Sequence, residues 1–150
     1  MDDQHNFRRA ENAISALIAV ILMGSLAWYF VSAAYKGLEV RRVLELQTIA
    51  DTVTIFEIHK DEYPVNAAGL ERWCKIGASY NGTVCLGELV KYGYFSKLPV
   101  SPNDSPYYYR MVRGRRPEVA TPVNTTYISL PPENTCYGNY GEIMWCQKVR

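Results

Sequence analysis

Few side chains in this sequence have chemistry to offer, and their spacing decides most of what they can do. Four cysteines stand at positions 74, 85, 136 and 146, in two pairs of similar short separation. Neither pair has the Cys-x-x-Cys spacing of zinc or thioredoxin-like sites, so structural disulfides formed in an oxidising compartment fit best. Three pairings are possible. The local one, Cys74 with Cys85 and Cys136 with Cys146, is preferred, each bridge closing a loop of about a dozen residues and adding roughly 3 kcal/mol in the chain-entropy model. The two histidines, His5 and His59, fall on either side of a long apolar run, so a nucleophilic triad would have to be built on His59 alone. The acid pairs Asp2-Asp3 and Asp61-Glu62 read as solvated ends of a helix rather than a glycosidase pair. No glycine loop that would cradle a phosphate is present. The sequence therefore predicts no catalytic residue, no metal site and no cofactor, and the chain is read as not being an enzyme.

Charge is balanced overall, with 16 Lys+Arg against 15 Asp+Glu, so nothing global points to nucleic acid. One local concentration stands out: Arg113, Arg115 and Arg116 close to Tyr107, Tyr108 and Tyr109. Arginines track phosphates and tyrosines stack on bases. A solvated hairpin tip is the plainer reading, with nucleic acid as a minor alternative partner. Asn81, Asn103 and Asn124 open N-x-S/T triplets, which matter only where the cell glycosylates them.

The element that must position everything else is the run from Ala13 to Ala34, which carries no charged residue. About 20 apolar residues cross the roughly 30 Å of a bilayer core, and backbone groups in lipid must be paired, so the run is read as one transmembrane helix. Trp28, Tyr29 and Tyr35 gather near its end, as interfacial aromatics do. The rivals are a core helix, which the rest of the chain is too small and polar to enclose, and a signal peptide cut after Ala34. The cysteines set the orientation: N-terminus cytoplasmic, C-terminal domain periplasmic or extracellular, in a single-pass inner (cell) membrane protein.

Four segments follow from this: a short basic leader at 1–12, a transmembrane half-helix at 13–35, an amphipathic half-helix at 36–62, and a disulfide-stabilised head at 63–150. In the amphipathic half, Val43, Leu46, Ile49, Ala50, Val53 and Phe56 recur at helical spacing as one apolar stripe. A weaker line runs through Leu44, Ile55 and Ile58, while Glu39, Arg42, Glu45 and Asp51 fill the remaining face. Gly24 and Gly37 are the weak points, and Tyr63-Pro64 ends the helix. Beyond it, Leu70–Lys75 is expected to form a helical turn with Trp73 packed inward beside Cys74, Asn81-Gly82 a turn, and Leu86–Tyr92 a short helix with Leu86, Leu89 and Val90 on one side. Three strands are expected: Tyr107–Arg113, Thr125–Leu130 and Glu142–Val149, the last two separated by a loop holding Cys136. The fold class is α+β: a long N-terminal helix with a small C-terminal antiparallel sheet packed on its second half.

This order of parts resembles the type IV pilin-like proteins, including the pseudopilins of type II secretion. The most specific stretches are LELQTIADTVTIFEIHKDEYPVN, similar to the segment where such helices finish, and LVKYGYFSKLPVSPNDSPYYYRM, similar to the short helix, Leu-Pro stretch and Tyr-rich strand that follow. The resemblance covers nearly the whole chain. It implies a structural subunit of a type IV pilus or type II secretion pseudopilus, waiting in the inner membrane and polymerising through its N-terminal helix. Its implied partners are like or related pilin subunits in a helical filament, the membrane and the assembly machinery. The alternative is a membrane-anchored extracytoplasmic binding domain that never polymerises.

The resemblance also names residues. Leader processing would fall at Asn6 and Phe7, with Glu11 then at the family's glutamate spacing, or after Ala10; the family's glycine before the cut is replaced by Asn6. Processed subunits of the family carry a methylated N-terminus. Glu11 would pair with a neighbouring subunit's N-terminal amine, a pairing strong only when desolvated. Leu17, Leu22, Leu26, Leu44 and Ile55 would supply subunit and membrane contacts, since packing and specific pairs must drive helix association where lipid is as apolar as leucine. Some pseudopilins bind calcium in a C-terminal loop, and Asn103, Asp104 and Ser105 could supply oxygen ligands for it, but too few acids cluster there.

Overall fold

The structure, a computed structural model, describes residues 2–101, 105–126, 129–139 and 141–149, with side chains from Ile14 onward. The chain forms two compact units, Met1–Gly37 and Leu38–Arg150. One helix, α1 (Asp2–Lys60, 59 residues), belongs to both. It runs through Gly24 and Gly37 without a break, so neither glycine interrupts it, and a Cβ at either position would meet no other atom within 4 Å. The helix also starts before the apolar run, at Asp2.

In the first unit every described side chain from Ile14 to Gly37 is exposed except half-buried Ser32. Ser25 Oγ donates back to the Leu22 carbonyl at 2.9 Å, which satisfies a hydroxyl on an apolar surface. Among the described residues, α1 is the one helix long and apolar enough to cross a membrane.

In the second unit α1 stops at Lys60, three residues ahead of the Tyr63-Pro64 stop that proline dictates. Asp61 turns left-handed (φ 58°), and its N–H reaches the Glu57 carbonyl at 2.7 Å, closing the last turn. The expected helical turn at 70–75 is instead a bend leading into an edge strand, β1 (Cys74–Lys75). A tight hairpin follows, β2 (Ser79–Tyr80) to β3 (Thr83–Val84), with Asn81 and Gly82 both at positive φ as its two-residue turn demands. The short helix α2 (Gly87–Lys91) buries Leu89, with Leu86 beneath its start, while Val90 faces outward.

The rest is sheet: β4 (Tyr108–Arg110), β5 (Glu118–Pro122), β6 (Thr135–Tyr137) and β7 (Ile143–Lys148). With β1 they make five antiparallel strands in the order β1-β4-β5-β7-β6. The strand expected at Thr125–Leu130 does not form over its described residues: Thr125 and Thr126 sit in a turn, and Tyr127 and Ile128 lie outside the described residues. The central strand is β5 instead, in a stretch whose flanking Pro117 and Pro122 read as loop. Pro122 is tolerated because it ends the strand, where a missing N–H costs least. β6 replaces the expected Cys136 loop.

The sheet has two apolar faces. Cys74, Tyr109 and Val119 face α1 and pack with Leu46, Ile49, Ala50, Val53 and Phe56. Across the same strands Tyr108, Ala120 and Cys146 are register partners on the outer face, where Met144 and Trp73 join them. Trp73 is therefore buried on the opposite side of the sheet from its neighbour Cys74, not beside it. Its indole N–H donates to the Tyr137 carbonyl at 3.0 Å and Arg110 stacks on its ring at 4.2 Å, so one residue closes the outer core.

Candidate functional site

The two long sides of α1 in the second unit differ sharply in what covers them. One side is committed to the sheet. Starting from Phe56 and stepping back by three and four residues, the helical period passes Val53, Ile49, Leu46, then Arg42 and Glu39. The last two are buried, at 2 % and 6 % exposure. Both were expected on the polar face together with Glu45 and Asp51. They are in fact the stripe's continuation, and only Asp51 is fully exposed while Glu45 is half-buried.

A buried charge survives only when paired and hydrogen-bonded. Arg42 Nη1 donates to both carboxylate oxygens of Glu39, at 3.0 and 2.9 Å. Its Nη2 donates to Thr121 Oγ1 at 2.9 Å and to the Pro122 carbonyl. The guanidinium thus ties α1 to the end of the central strand, although its Nε has no partner among the described residues. One turn on, Tyr107 Oη donates to Glu45 Oε2 at 2.5 Å, while Arg41 Nε holds Glu45 Oε1 at 2.9 Å. Burial first, and the Glu45 carboxylate second, push the Tyr107 phenol well above its ordinary range. Tyr109, fully buried with its hydroxyl donating to the Pro64 carbonyl at 2.9 Å, is raised for the same leading reason, with Tyr63 and Glu88 adding to it.

The other side of α1 is uncovered. Val40, Leu44, Ile55 and Ile58 are 53 %, 59 %, 46 % and 69 % exposed, at spacings that put them on one face. Of the expected contact residues, Leu17, Leu22 and Leu26 are exposed in the first unit, and Leu44 and Ile55 in the second. The side chains of Asn6, Phe7, Ala10 and Glu11 lie outside the described residues, as do Asn103 and Asp104.

The cysteines pair locally, Cys74 with Cys85 and Cys136 with Cys146, at Cα separations of 6.1 and 5.9 Å. The first bridge pins the β2–β3 hairpin to the inner core, and the second joins β6 to β7 under Trp73. His59 is exposed, with Nδ1 3.0 Å from Tyr94 Oη, and neither a nucleophile nor an acid adjoins it in this contact. Among the described residues no three of His, Cys, Asp or Glu gather as metal ligands. Arg113, Arg115 and Arg116 are exposed on the loop joining β4 to β5. Tyr107 and Tyr109 are buried and Tyr108 half-buried, so the tyrosines beside that loop offer no open stacking platform.

Compared with known proteins, the chain matches no protein-family model, no curated protein and no solved structure.

Proposed function

We propose that the chain is a structural subunit of a pilin-like filament, of the type IV pilus or type II secretion pseudopilus kind, anchored in the membrane by the first part of α1 before assembly. The observation that carries this reading is the uncovered line of Val40, Leu44, Ile55 and Ile58 on a helix whose other side is fully used by the sheet. A lone anchored domain gains nothing from keeping apolar side chains in water, where each fully buried one would stabilise by about 1.5–3 kcal/mol. A polymer of parallel helices uses them. The exposed apolar segment from Ile14 to Tyr35 supports the same reading, because it suits both a bilayer before assembly and a helix bundle after it.

The reading is tested by the intact mass of the protein extracted from its native membranes. A mass lacking the residues through Asn6 or Ala10 and carrying one added methyl group is expected. A mass beginning at Met1 favours the anchored, non-polymerising domain. Loss of everything through Ala34 would identify a secreted soluble domain and remove the filament reading.

A further inference from the structure

We infer that the β4–β5 loop docks the phosphodiester backbone of duplex nucleic acid, without reading its sequence. The loop presents Arg113, Arg115 and Arg116 to solvent within four positions. Among the described residues none of the three forms an ion pair: the nearest strand carboxylate, Glu118, is already held by Arg110 at 2.5 Å. Across the sheet, Glu118 is also the register partner of Lys148, which adds a further exposed cation to the same edge. Nearby Glu71 and Arg72, both exposed, offset one another. A chain of net charge +1 thus gathers four exposed cations at one end of its sheet, none of them in an ion pair among the described residues.

The loop is held rather than loose. Arg115 N–H reaches the Val112 carbonyl at 3.1 Å around Gly114, whose φ of 65° the turn requires. Glu71 N–H is fixed to the Met111 carbonyl at 2.8 Å and Val149 N–H to the Pro117 carbonyl at 3.0 Å, and Pro117 itself is buried. Charged side chains rooted on a fixed turn lose less freedom on binding.

The residue types select among anions. All three loop cations are arginines, whose planar fork matches a phosphate bidentately. No large apolar side chain between 111 and 117 is exposed, so the loop lacks the wedge by which membrane-surface segments enter a bilayer. No aromatic ring is exposed there either, which removes the stacking that single strands use and leaves the backbone of a duplex. The inference does not depend on polymerisation.

The test uses the full chain in a non-ionic detergent and fluorescence anisotropy on a short mixed-sequence DNA duplex across a salt series. Binding is expected, with log affinity falling linearly with log salt. The triple variant R113Q/R115Q/R116Q, exposed and outside the core, should lower that slope by about 2–3 and weaken binding at low salt at least about tenfold. Its thermal melt should match the parent's, and K97Q, on a different exposed segment, should bind as the parent does. Three results overturn the inference: no duplex binding by the parent, undiminished binding by the triple variant, or stronger arginine-dependent binding to anionic vesicles or to polyglutamate than to the duplex.

Discussion

Arg42 Nη2 and Thr121 Oγ1 meet at 2.9 Å although 79 positions separate them in the chain. This bond fixes the central strand against the helix at a depth where Arg42 is 2 % exposed and, among the described residues, is ion-paired with Glu39 alone. The head is thereby keyed to one register along α1, because sliding the sheet by a turn would part the guanidinium from Thr121 and the Pro122 carbonyl, while Glu39, on the same helix, would stay with it.

Removing one side of that pair should cost more than removing both. Arg42→Met or Glu39→Leu alone leaves a buried unpaired charge and is expected to destabilise the head by about 3–5 kcal/mol. The joint replacement Glu39→Leu with Arg42→Met should recover most of the loss. Chemical denaturation of the four proteins measures the coupling, and additive losses would show that the pair does not act as a unit.

The helix-facing core should be intolerant. Val53 and Phe56 are 0 % and 1 % exposed against the sheet. Phe56→Ala is expected to cost about 3–5 kcal/mol by the cavity it leaves. Val53→Glu and Phe56→Glu should prevent folding, since each buries a lone carboxylate. A folded Phe56→Glu protein with an unchanged melt would contradict the packing.

Stability should fall steeply in alkali. Tyr107 and Tyr109 have folded-state pKa values raised above the ordinary 10.0. Below pH 10 the phenols are protonated in both states and contribute no pH dependence. Above it the unfolded chain releases protons that the folded chain retains, so stability is lost as pH rises, by up to about 1.4 kcal/mol per unit for each group. Urea unfolding between pH 9 and 11.5 measures the slope. Tyr109→Phe should flatten it, and an unchanged slope would show that Tyr109 is not the group held neutral.

The two bridges should differ in what they protect. Each closes a short loop, of sequence separation 11 and 10, so each should contribute roughly 2–4 kcal/mol. Replacing Cys74 and Cys85 by alanine removes two buried side chains from the helix-side core and should cost more than replacing Cys136 and Cys146, the first of which is half-buried. Equal losses would mean that the bridge alone, and not its packing, sets the cost.

Much of this was legible in the residues. The apolar run, the continuation of the helix, the Asn81-Gly82 turn, the local cysteine pairing and the helix-plus-sheet layout all rest on strong local signals. What was hidden is instructive. Glu39 and Arg42 lie on the extrapolated period of the Leu46–Phe56 stripe, yet charge masks position unless the partner, Thr121, is known. The central strand β5 was obscured because Pro117 and Pro122 at its borders speak locally for loop, while one of its two pairing partners, β7, lies far along the chain. Trp73 was misplaced because its stretch reads as a helical turn; in the extended chain entering β1 it points to the face opposite its neighbour Cys74.

The claim that the uncovered side of α1 is an assembly surface is met most directly by the double variant Leu44→Glu with Ile55→Glu, produced in the native host. Both side chains are exposed, at 59 % and 46 %, so the head should melt within about 1 kcal/mol of the parent. The account predicts that sedimentable filaments sheared from the cells disappear while the membrane-held protein persists. Filaments recovered at the parent's yield from the double variant would contradict it.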